Sequence, residues 1–100
     1  MSSYAIAEIL SDTIFILRVY EAYSIEDCVE PLPYKFFTVG VLKEHNIVEL
    51  KGLNFDTRVC KEDFKAVLAE CSRVAGHEVT LYWKHKNKEH FYPMKINPHL

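Results

Sequence analysis

Across residues 61–75 the apolar side chains Phe64, Val67, Leu68, Cys71 and Val74 recur at the three-and-four spacing of one helical face. This periodicity constrains the fold more than any other feature of the chain. Glu62 and Asp63 fall in the first turn, where acids complement the helix dipole, and Gly76 follows the last turn, where a left-handed cap costs least. Leu68 lies mid-stripe and is expected to be buried against the sheet made by residues 47–55 and 79–83. The flanking segments read as strands. Residues 47–55 form the one before, with Gly52 marking a bulge or bend. In residues 77–86, the one after, Val79, Leu81 and Trp83 alternate with Thr80, Tyr82 and Lys84. Residues 46–92 therefore read as strand, helix, strand. Such a unit cradles a phosphate-bearing cofactor when the turn into the helix offers bare backbone amides. Here that turn, Asp56-Thr57-Arg58-Val59-Cys60-Lys61-Glu62-Asp63, has no glycine and places acids where the phosphate charge would sit.

The rest of the chain supplies more strands. Residues 36–42 alternate and are rich in β-branched side chains, and the polar turn Lys43-Glu44-His45-Asn46 joins them to residues 47–55 as a hairpin. Residues 4–10 read as a first strand. For residues 13–23 the β-branched and aromatic content suits a strand, whereas the Ser11-Asp12 N-cap signal and the Arg18–Glu21 pair suit a helix, and the reading leans to helix. Pro31-Leu32-Pro33 makes a stiff crossing. Lys86-Asn87-Lys88-Glu89 turns the chain, residues 90–96 form a last strand or a short helix, and the tail is expected to be loose. The expected architecture is α+β: one domain over residues 1–100, with one or two helices packed on a small, mostly antiparallel sheet.

Composition narrows the function classes. Twelve basic and fourteen acidic residues leave a formal charge of −2, which gives no global footprint for nucleic acid or an anionic membrane. Ile14-Phe15-Ile16-Leu17 is the longest aliphatic and aromatic run, far short of the ~20 residues of a membrane span. Without a basic segment and cleavage site at its start, the chain is expected in the cytoplasm, with no membrane association. Cys28, Cys60 and Cys71 are widely spaced with no CxxC and read as reduced thiols, Cys71 packed on the helix face. Cys60 precedes the helix, where a thiolate gains support, but Glu62 and Asp63 oppose it. His85 and His90 flank a turn with no cysteine or carboxylate at ligand spacing, so no metal site is expected. The cluster Lys84-His85-Lys86-Asn87-Lys88, bracketed by Tyr82, Trp83, Phe91 and Tyr92, has the form of a single-strand nucleic-acid platform, but alternation buries Trp83 and favours a solvated hairpin tip. Ser24 and Ser72 sit in no nucleophile motif, and Glu26-Asp27 is the only acidic pair outside the helix start.

The order of elements, with the segments 48–58, 64–76 and 79–87, resembles the GNAT N-acetyltransferase fold. In that family an Asn after the core strand and a Tyr a few residues later contact coenzyme A and act as general acid. The resemblance thus implies Asn87 and Arg58 as cofactor-binding residues, Tyr92 as the catalytic residue and acetyl-CoA as the cofactor. The family's glycine-bearing loop has no counterpart in residues 58–63. A reduced relative that has lost the cofactor site resembles small accessory proteins of bacteriophages, which bind a protein partner or join the virion. Two expectations follow. The first is a non-catalytic protein-interaction module without a cofactor, able to form a homodimer by sheet extension at a strand edge. The alternative is a minimal acyl-CoA-dependent N-acyltransferase.

Overall fold

The computed structural model describes residues 1–28, 34–44, 46–53 and 59–93. Six strands form one mixed sheet in chain order: β1 (Ser2–Ile9), β2 (Ile14–Ala22), β3 (Phe36–Leu42), β4 (Ile47–Lys51), β5 (Thr80–His85) and β6 (Lys88–Tyr92). The helix α1 (Lys61–Ala75) crosses from β4 to β5, and these two are the parallel pair; the other neighbours are antiparallel. A single 3-10 turn, Ile25–Asp27, follows β2. The α+β expectation holds, with one helix among the described residues. Segments 31–33 and 54–58 and the tail beyond Pro93 lie outside the described residues.

Residues 13–23 are the main correction, because they are strand and not helix. Phe15, Leu17 and Val19 are buried at a period of two and pair with Gly40, Thr38 and Phe36 of β3. The Ser11 hydroxyl accepts hydrogen bonds from the Thr13 and Ile14 amides at 3.4 and 3.2 Å. That is the chemistry of an N-cap, used here to close the β1–β2 hairpin turn. The Arg18–Glu21 pair does not form either: Arg18 bonds Glu8 across to β1, and Glu21 pairs with Lys35.

Strand alternation sorts side chains to two faces. The inner face carries Leu17, Val19, Val48 and Leu81, all fully buried, and α1 adds Val67 and Cys71. Gly40 lies opposite Phe15, and a Cβ there would come within 2.5 Å of the Phe15 ring, so the strand dispenses with a side chain to seat the aromatic. α1 packs most extensively on β1, not on β4 and β5. Glu70 accepts the Ala7 amide at 2.8 Å and is itself held by Arg73 Nε and Nη2, so the helix satisfies an amide of an edge strand. This placement rotates the buried stripe toward Val67 and Cys71, and Leu68 is only half-buried at its flank. Gly76 ends the helix in the left-handed conformation, as expected, its amide bonded to the Ser72 carbonyl at 2.9 Å.

Candidate functional site

The N-terminus of α1 is where a cofactor phosphate would be held, and a side chain of the chain itself occupies it. Asp63 is fully buried. Its carboxylate accepts hydrogen bonds from Ser3 Oγ at 2.7 Å, Lys35 Nζ at 2.7 Å, the Cys60 amide at 2.9 Å and Cys60 Sγ at 3.4 Å. Burial pushes the carboxyl pKa up, but Lys35, the Cys60 amide and Ser3 outweigh it and hold it below the ordinary Asp range. Burial lowers the Lys35 pKa, and the hydrogen bonds to Asp63 and Glu21 more than reverse that. The cluster ties β1, the entry to β3 and α1 together. The sequence marked Asp63 as a dipole-complementing acid in the turn where a phosphate charge would sit, and not as a buried one. Its burial depends on partners 60 and 28 residues away, which no local pattern reveals. The exposed Cys60 thiol donates to the same carboxylate, while burial, then Glu70, pushes the Cys71 thiol up to about 12.

The residues named by the acyltransferase resemblance fall in different places. Asn87 is the second residue of a two-residue hairpin turn, with Lys86 and Asn87 both at positive φ (52° and 66°), and it is exposed. Tyr92 lies at the far end of β6, on the inner face, its ring 5.8 Å from that of Phe64. Arg58 lies outside the described residues. β4 and β5 pair only at Ile47–Thr80, Val48–Leu81 and Glu49–Tyr82, and beyond these residues the two strands continue unpaired with each other. His85 stands opposite Lys88, and His90 is stacked on Trp83 at 5.5 Å. Among the described residues no group of three or more His, Cys, Asp or Glu could hold a metal ion, and no helix is long and apolar enough to cross a membrane.

The outer face of the sheet has a different character. At one end Tyr20, Ala22 and Cys28 form a small second core with Tyr4 and Ile6. Beyond it, Ile14 and Ile16 of β2 lie opposite Val41 and Val39 of β3, with Phe37 alongside opposite Arg18. Phe37 is 48% and Ile14 38% exposed, and Ile16, Val39 and Val41 are half-buried. Farther across, a shallow cleft on this face is lined by Glu49, Tyr82, Glu89 and Phe91, and the hydrogen bond to Glu89, burial and the charges of Glu89 and Glu49 raise the Tyr82 pKa. The residues of the β2–β3 strip were not singled out as a site. The run Ile14-Phe15-Ile16-Leu17 was the available signal, since consecutive apolar residues in a strand place apolar groups on both faces. No family model, curated protein or solved structure matches this chain.

Proposed function

We propose that this chain is a non-catalytic protein-interaction module that presents the outer face of its sheet to a protein partner. The exposed β2–β3 strip carries this reading. Antiparallel sheets facing water alternate apolar and polar residues, whereas here Ile14, Ile16, Val39, Val41 and Phe37 stand together on the side that α1 does not cover. A rigid patch of β-branched and aromatic side chains gives a partner contact area at little entropic cost. The filled N-terminus of α1 supports the absence of a cofactor, because Asp63 places a carboxylate where a pyrophosphate would compete for the same amides. The resemblance to bacteriophage accessory proteins fits the same role, with a host or virion protein as partner. Light-scattering mass and affinity capture test this, with Phe37→Glu as the face-disrupting variant. Association that Phe37→Glu abolishes is the expected result, and a strictly monomeric wild type that captures nothing contradicts it.

The alternative, a minimal N-acyltransferase using acetyl-CoA, is favoured by the short β4–β5 pairing, which leaves the ends of two parallel strands apart beside the helix that connects them. Calorimetric titration with acetyl-CoA tests it. No detectable heat at high micromolar concentration removes it, and binding that Tyr92→Phe and Asn87→Ala weaken would support it.

A further inference from the structure

We propose that the β2–β3 strip is covered by a second copy of this chain, packed face to face about a two-fold axis that runs along the strands between β2 and β3. The inference rests on the reading of the outer face as a binding surface and names its occupant.

The charge pattern points to a second copy. The register across the first four strands places Glu8, Ile16, Val39 and Lys51 in one row on the outer face. That row reads acid, apolar, apolar, base. A two-fold axis along the strands reverses it onto itself, so Ile16 meets Val39 of the second copy and Glu8 meets its Lys51, each contact occurring twice. Neighbouring strands are about 4.8 Å apart, so the row is about 14 Å long, and packed sheets lie about 10 Å apart, a gap that facing Glu and Lys side chains span. Lys51 is exposed and its ammonium group has no ion-pair partner among the described residues, whereas Glu8 keeps one oxygen on Arg18 at 2.7 Å. The next row has a different composition, Ile6, Arg18 and Phe37. Arg18 lies opposite Phe37 in register, and the same rotation brings the exposed Phe37 ring of the other copy over the Arg18 side-chain stem, whose guanidinium is held toward β1 by Glu8. Below it, Ile14 meets Val41. An isologous contact needs a surface complementary to itself, and antisymmetric charge flanking an apolar centre meets that need.

The edges of the sheet offer less. α1 already covers β1, with Glu70 on the Ala7 amide. The β6 edge is five residues long and ends at Pro93, which has no amide to donate.

The test is sedimentation equilibrium of the full chain across a concentration series, with Glu8→Lys, Lys51→Glu and the double variant, each checked for folding by circular dichroism. The wild type is expected to dimerise. Each single reversal sets like charges together twice per interface and is expected to weaken the dimer about tenfold or more. The double variant restores opposite charges and should recover to within about threefold of the wild type. Lys51→Glu disturbs no ion pair among the described residues, so its effect is free of the Arg18 contact. A wild type that stays monomeric overturns the proposal, as does a dimer indifferent to the single reversals or not restored by the double. A monomer that still captures another protein through Phe37 overturns the second copy and leaves the interaction reading standing. A monomer that captures nothing removes both.

Discussion

Leu17 and Ile16 are neighbours in β2, and they face opposite sides of one sheet with different consequences. Leu17 is fully buried between β1, β3 and the helix side of the molecule, whereas Ile16 lies half-buried on the outer face, which α1 does not cover. The inner face is complete within one chain. Its residues are held by packing that a single copy supplies, and even its charged member, Asp63, has its oxygens satisfied by Ser3, Lys35 and Cys60. The outer face has the same residue types without a covering helix among the described residues. Strand propensity alone gives apolar residues to both faces; what distinguishes structural from functional use is whether the chain itself buries them.

The comparison breaks most directly at β2. Leu17→Ala should cost about 2–5 kcal/mol in urea unfolding, whereas Ile16→Ala, measured at concentrations too low for association, should cost under about 1 kcal/mol. Equal costs would mean the two faces are equally buried. The next largest effect belongs to the buried ion pair. Asp63→Ala leaves Lys35 with Glu21 as its one carboxylate partner and takes the acceptor from Ser3 and the Cys60 amide, and it should cost on the order of 3 kcal/mol. Its pH signature has a definite sign. Asp63 is held below its unfolded pKa, so near that value the unfolded chain binds more protons and stability rises with pH. The contribution is fully present above about 3.9, the ordinary Asp value, and is lost as pH falls through the folded pKa. Asp63→Ala should therefore flatten the acid limb of the stability profile, and an unchanged limb would contradict the assignment. Lys35 runs oppositely. Its folded pKa is raised, so its contribution is fully present below about 10.4 and is lost as pH rises through the folded value.

Smaller effects sharpen the contrast. Gly40→Ala places a Cβ within 2.5 Å of Phe15 on the inner face and should cost about 1–3 kcal/mol by displacing a packed ring. Val39→Thr, the neighbouring residue on the outer face, keeps the side-chain shape and should change dilute-solution stability by no more than about 0.5 kcal/mol. Calorimetric melting of the two variants side by side compares them, and a larger loss for Val39→Thr would reverse the assignment of faces.

Much of this fold was legible in the sequence where pattern and capping agree. The helix over Lys61–Ala75, its Gly76 cap and the alternation of β3 and β5 follow from periodicities of 3.6 and 2. The sequence points to a helix at β2 because a serine that caps a helix and a serine that closes a hairpin satisfy the same kind of amides. Leu68 was placed at the centre of the buried stripe because a helical wheel cannot show that the edge strand β1, and not the sheet centre, is the helix's main contact. The Asp63 cluster was illegible for the same reason, its partners being distant in sequence. The outer strip was not legible, because residues 13–23 lean to helix in the sequence; only with Ile14–Leu17 in a strand does the run place apolar groups on both faces, and which one α1 covers is a property of the assembled sheet.

Methyl resonances of isoleucine, leucine and valine, followed as the protein is diluted, test the proposed division between the faces most directly. The expected result is concentration-dependent shifts at Ile14, Ile16, Val39 and Val41, with Leu17, Val19, Val48 and Leu81 unchanged. Shifts confined to α1 or the β6 edge, or none at any concentration, would contradict it.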